Sequence, residues 1–316
     1  MSTRIMYTRL HRLAIIAAAV GVGVGSLHAQ APPQAEQTTF RSSVDVVTSQ
    51  TSVRDGRGRI VQGLTPADFE VRDNGELRPV LSIRSDSRSP LSLAILVDMS
   101  GSMSVGAKIA MARQAYDSLL AQLHDGNDEV GLYTFDSSLH ERRALTSDLG
   151  ALKNGLADFE PFGNTSLYDA TAATARRLAE RTAARKAVIV LTDGTDTSSE
   201  MTAEQVSSLA GSIDVPVYVL ATMPSLDQRA TAESVDRRPR GDIADLRDLA
   251  EWTGGRFAFT KTFVETVTVA AGLVDELRQQ YVLAIEAGSG REWRRLVVRV
   301  KNPSAVVKAR TGYFGG

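Results

Sequence analysis

From Pro90 onward the sequence alternates short, nearly continuous apolar runs with stretches whose apolar residues recur at helical spacing, and few folds satisfy that alternation. Residues 91 to 97 are apolar at almost every position, as a strand buried on both faces of a parallel sheet must be. Val105, Ile109, Ala112, Tyr116, Leu119 and Leu123 then repeat every three or four residues, and Gly126 closes that helix. Residues 130 to 135 read as a strand, with 139 to 145 returning beside it as a charged antiparallel edge. Leu149, Leu152, Leu156 and Phe159 mark a second helix, and Leu167, Ala170, Ala173 and Leu178 a third. Strands near 187 to 191, 215 to 221 and 257 to 260 alternate with helices near 202 to 212 and 242 to 252. Phe263, Val267, Ala270, Val274 and Leu277 stripe a last helix, 262 to 280. The expected fold is α/β, a doubly wound, mostly parallel sheet over about residues 90 to 280.

The flanks read differently. Residues 40 to 88 hold β-prone segments punctuated by Asp55-Gly56-Arg57-Gly58 and Asp73-Asn74-Gly75-Glu76, with a helical turn at Pro66. Residues 281 to 316 alternate like hairpin strands. Neither piece has enough strands to be stable alone, so the two are expected to pack as one small β unit built from both ends of the chain. Residues 224 to 241 are polar, carry four arginines and show no period, which predicts an exposed insertion.

Arg4, Arg9 and Arg12 precede an apolar run from 13 to 25, and Ala29-Gln30-Ala31 follows as a small-residue cleavage site. Residues 1 to 31 are thus expected to be a secretory signal, placing the mature chain in the periplasm or outside the cell. The run is too short to span a bilayer comfortably, so no stable membrane anchor is expected after cleavage. With no cysteine there is neither a lipoprotein attachment point nor a disulfide, and stability must come from the core. A net charge of −1 argues against a nucleic-acid partner.

Candidate chemistry gathers at one edge of the expected sheet. The first strand runs out through Asp98-Met99-Ser100-Gly101-Ser102, which sets oxygen-bearing side chains at alternate positions. Gly163-Asn164-Thr165 opens the third helix, and Thr192-Asp193-Gly194 leaves a later strand at the same edge, where ligands bind in open α/β sheets. Singly, each residue has an ordinary reading: Asp98, Ser100 or Ser102 as a helix cap, Thr165 and Asp169 as cap and first-turn acid, Asp193-Gly194 as a turn. Asp169 is read as a cap, Asp196 as turn chemistry and Asp136 as a solvated loop acid.

Together, Asp98, Ser100, Ser102, Thr165 and Asp193 resemble the metal-ion-dependent adhesion site of von Willebrand factor type A domains, in family order and separated by the right elements. More loosely, the segments from Val53 to Phe69 and from Ala309 to Phe314 resemble the flanks of exported bacterial proteins related to that family. The resemblance implies a Mg²⁺ site, with Mn²⁺ as a substitute. Its serine hydroxyls bind the ion directly, its threonine directly or through water, and its aspartates mostly through water. It also implies a non-enzymatic module that captures a carboxylate from a protein partner. The alternatives are a structural envelope protein with a vestigial site, or a non-catalytic subunit of an enzyme complex.

Other chemistries fit less well. The four histidines (His11, His28, His124, His140) are not clustered, which disfavours zinc. The segment from Gly101 to Lys108 imitates a phosphate-binding loop, but Ala107 separates the second glycine from Lys108 and Ile109 follows it. Position 100, where an aspartyl phosphatase wants a second acid, is a serine, and no G-x-S-x-G elbow occurs.

Overall fold

A computed structural model describes residues 45–85, 87–223 and 242–315. The expected signal segment and the 224–241 insertion lie outside the described residues. The central sheet contains β5 (Leu91–Asp98), β6 (Glu129–Phe135), β7 (Leu139–Thr146), β8 (Arg185–Thr192), β9 (Val217–Thr222) and β10 (Phe257–Thr260), in the order β10-β9-β8-β5-β6-β7. All neighbours run parallel except β7, which returns antiparallel to β6 at the edge. The helices are α1 (Lys108–Ala121), α2 (Leu167–Ala179), α3 (Ala203–Ser212), α4 (Asp242–Trp252) and α5 (Phe263–Arg278).

Every residue of β5 is buried, and its alternation between two cores explains why the run is apolar at almost every position. Leu91, Leu93, Ile95 and Val97 enter a core shared with Ala112, Tyr116 and Leu119 of α1 and Ala270, Leu273 and Leu277 of α5. Ala94 and Leu96 face a second core, against Leu178 of α2, Val206 of α3 and Leu249 of α4. The fold is therefore the doubly wound α/β sheet that the pattern predicts.

The ends of the chain build the flanking β unit. Here β1 (Val46–Arg54) pairs antiparallel with both β11 (Tyr281–Glu286) and β13 (Val306–Ala309), and β4 (Val80–Arg84) completes the sheet. In the second sheet β2 (Phe69–Asp73) lies between β12 (Trp293–Val300) and β3 (Glu76–Arg78), with β14 (Gly312–Phe314) beyond β12. The two sheets share a core containing Val53, Phe69, Val71, Tyr281, Leu283, Leu296 and Tyr313. Within it, Asp73 is held by Arg294 Nε at 2.8 Å and by the Tyr313 hydroxyl at 2.9 Å.

Three local expectations need correction. The stretch from Leu149 to Phe159 is not an α-helix but a single 3-10 turn, Leu149–Leu152, followed by further turns. Asn154 sits at φ 59°, and a Cβ on Gly155 would strike Leu132, so the chain folds tightly against the sheet. Leu149, Leu152 and Leu156 are buried all the same, which is why their spacing imitates a helix. Val105 is not a core position of α1; Gly106 at φ 66° breaks the chain there and leaves Val105 exposed. In α5, Phe263 and Val267 are exposed, and Thr266 faces inward instead, bonding Thr260 at 2.9 Å.

Among the described residues, no helix is long and apolar enough to cross a membrane.

Candidate metal centre

At the carboxyl end of β5 the Met99 N–H donates to the Phe135 carbonyl at 2.7 Å, so the chain leaves the sheet only after Asp98. Asp98 Oδ1 then accepts from the Ser100 N–H at 2.9 Å, a local turn that aspartate makes readily. A 3-10 turn, Gly101–Ser104, follows, and the Ser100 and Ser102 hydroxyls lie 3.1 Å apart.

Backbone hydrogen bonds bring the second loop onto the first: Gly101 N–H donates to Gly163 O at 3.0 Å, and Phe162 N–H to Met99 O at 2.7 Å. A Cβ on Gly101 would come within 3.4 Å of the Gly163 carbonyl, so the close approach suits glycine. The third loop is tied in through Thr165, whose carbonyl accepts from Thr197 N–H at 2.9 Å and whose N–H donates to the Thr197 hydroxyl, also at 2.9 Å. All three loops meet at one edge of the sheet.

The electrostatics of the cluster are unusual. Asp98 is fully buried, and its Oδ2 accepts a 2.6 Å bond from the Thr192 hydroxyl. Burial and, secondarily, the charge of Asp193 push the Asp98 carboxyl up to about 7. Asp98 is thus not the solvent-facing acid that a strand end suggests. Asp193 is also buried; its Oδ2 lies 3.0 Å from Lys108 Nζ, while its Oδ1 has no hydrogen-bond partner among the described residues. Lys108 also donates to the Ser102 carbonyl at 3.3 Å. Among the described residues the Lys108 ammonium pairs with Asp193, and no cation pairs with Asp98.

Sequence reasoning missed several members of this cluster. Thr192 points its hydroxyl back at Asp98 and accepts from the Gly194 N–H at 3.0 Å. Lys108, set aside as a misplaced phosphate-loop lysine, is an ion-pair partner of Asp193. Asp196 is more than a turn residue: its Oδ2 accepts from Leu167 N–H at 2.8 Å and Tyr168 N–H at 3.2 Å, capping α2 from another loop. Asp169 does not cap α2 but accepts from Glu200 and Met201 N–H, both at 2.9 Å, and so fixes the loop after β8. Asp136 keeps its side chain near solvent, yet its carbonyl takes the Ser166 N–H at 2.7 Å. For Thr192 the available signal was its place next to Asp193 in the sequence.

The donor set can be weighed against a divalent ion. Among the described residues no three His, Cys, Asp or Glu side chains gather into a soft or all-acid cage. Hydroxyls with two carboxylates, one oxygen of which is buried and unpartnered, suit a hard, oxygen-seeking cation. A separate cleft of about 490 Å³, lined by Trp252 and Trp293, lies among residues of α3, α4, β12 and the turn before β14 and shares no residue with these loops.

A doubly wound sheet with a polar cluster at its carboxyl edge defines the class of domain. Residues 93–195 match the family model of the von Willebrand factor type A domain. Among solved structures, it resembles proximal thread matrix protein 1 from the mussel byssus with a zinc-occupied metal-ion-dependent adhesion site. That match has 16% identity and a TM-score of 0.51, and covers 66% of this chain and 50% of that one. It also resembles BatB from Bacteroides thetaiotaomicron (19% identity, TM-score 0.47, 59% of this chain and 98% of that one). A third is a von Willebrand factor type A protein from Catenulispora acidiphila (13% identity, TM-score 0.47, 86% and 74%). Identities this low bear on the fold alone. No curated protein sequence matches the chain.

Proposed function

We propose that the chain is an exported, non-enzymatic interaction module that holds a divalent cation through Asp98, Ser100, Ser102, Thr165 and Asp193. The cation is Mg²⁺, with Mn²⁺ as a substitute, and its use is to capture a carboxylate from a partner protein. The observation that carries the reading is the buried, unpartnered Asp193 Oδ1 in a cluster with a second buried carboxylate, Asp98, while the ammonium of Lys108 pairs with Asp193 Oδ2. Bound there, Mg²⁺ would supply a centre that seeks about six oxygens and retains exchangeable positions. Ser100, Ser102 and Thr165 would offer neutral hydroxyls, leaving positive charge for an incoming acid. Asp193 would hold the ion together with Asp98, which is oriented by Thr192 and by the turn at Ser100. The mussel protein's zinc-occupied site supports a divalent ion at this place in the fold, and the choice of Mg²⁺ rests on the oxygen-only donors. Export rests on the basic and apolar start of the chain, and cell fractionation of the full-length protein tests it.

Calorimetric titration tests the site. The wild-type chain is expected to bind one Mg²⁺, and no detectable binding of either Mg²⁺ or Mn²⁺ would refute the choice of metal. Lys108→Met removes the ammonium that competes for Asp193 and is expected to tighten Mg²⁺ by about tenfold, roughly 1.4 kcal/mol. Weakened binding in that variant would show that Lys108 supports the site instead.

A further inference from the structure

We propose that Phe162, with Val105 and Ile243, forms an apolar rim that selects partner segments whose carboxylate is flanked by large apolar side chains. The inference rests on the metal-site reading above. Phe162 is 83% exposed, the most exposed large apolar side chain among the described residues. It is not a loose tip, because its N–H bonds Met99 O at 2.7 Å and the next residue's carbonyl takes the Gly101 N–H at 3.0 Å. Both bonds reach the loop between Asp98 and Ser102.

Phe159, three residues earlier, is the contrast. It packs against the core, with the Arg142 guanidinium 4.0 Å from its ring centre and Arg113 donating to its carbonyl at 2.8 Å. One aromatic thus anchors this loop and the other is presented to solvent.

Val105, 55% exposed, follows the same loop as Ser102, and its N–H donates to the Ser102 carbonyl at 3.3 Å. Ile243 is also exposed and lies beside Gly194, where a Cβ would meet it at 3.8 Å. Each of the three site loops therefore has a large exposed apolar residue on it or against it. Exposed apolar side chains grouped beside polar residues mark a protein-binding face. A small free acid would gain nothing from this rim, whereas an Asp or Glu flanked by Leu or Phe would bury it.

Two capped peptides test the inference in Mg²⁺ buffer, Gly-Leu-Asp-Phe-Gly and Gly-Gly-Asp-Gly-Gly, each with wild-type protein and with Phe162→Ser. The apolar peptide is expected to bind the wild type at least about tenfold tighter, the low end of what burying one phenylalanine is worth. That preference should vanish in Phe162→Ser while calorimetric Mg²⁺ affinity stays the same. Equal affinities in the wild type, a preference that survives Phe162→Ser, or no binding of either peptide would overturn the rim. Mg²⁺ titration of the wild type, read separately, shows whether the metal reading has failed instead.

Discussion

Asp128→Ala is expected to cost about 3–5 kcal/mol of folding stability, the range for removing one partner of a buried ion pair. Asp128 is fully buried just before β6, and Arg278 Nη2 reaches its Oδ2 at 2.5 Å from the last turn of α5. The same carboxylate accepts from Leu91 N–H at 3.1 Å and His124 N–H at 2.6 Å. It therefore clamps the start of β5, the turn after α1 and the end of α5. Alanine would leave the guanidinium buried without its counter-charge, a larger penalty than the lost attraction. Against a typical total of about 5–15 kcal/mol, the loss would lower the urea midpoint severely. A change below about 1 kcal/mol would show that the clamp is not needed.

The same residue sets a pH dependence. Burial raises the Asp128 carboxyl, but hydrogen bonds from Arg278, His124 N–H and Leu91 N–H outweigh it and hold it below the ordinary value of 3.8. A carboxyl depressed in the folded state contributes stability above its unfolded value, lost as pH falls through the folded one. Acid unfolding of Asp128→Asn should therefore begin from lower stability and show a shallower decline below about pH 4.

Ser102→Ala is the second large effect, on binding rather than on stability. Among the described residues the only partner of the Ser102 hydroxyl is that of Ser100, at 3.1 Å, so its removal should change stability by no more than about 0.5 kcal/mol. If that hydroxyl is a direct ligand, Mg²⁺ affinity should fall by about a hundredfold or more, since even residues that merely orient ligands cost roughly 10- to 100-fold. Calorimetry and urea unfolding on the same preparation separate the two. An unchanged Mg²⁺ affinity would remove Ser102 from the ligand set.

Much of the fold was legible because it depends on local pattern. The apolar run of β5 and the helical spacing of α1 and α2 state which faces are buried, and the alternation of strands with helices leaves few topologies. What misled was burial without regular structure. Leu149, Leu152 and Leu156 anchor a turn, and helical spacing alone does not reveal that Asn154 leaves the right-handed region. In α5, Thr266 faces inward through a hydroxyl partner on β10, Thr260, six positions earlier, which an apolar stripe confined to the helix does not register.

The loops were legible as a set because Asp98, Ser100, Ser102, Thr165 and Asp193 leave one edge of a sheet whose order the pattern implies. Their electrostatic state was not. The hydrogen bond from Thr192 to the buried Asp98 spans 94 positions, and the pairing of Lys108 with Asp193 spans 85.

Crystals of the protein grown with Mn²⁺, measured at the manganese absorption edge, test the central claim most directly. The account predicts one anomalous difference peak among the hydroxyls of Ser100, Ser102 and Thr165, above the carboxylates of Asp98 and Asp193. A peak elsewhere on the molecule, or none at that edge of the sheet, would contradict it.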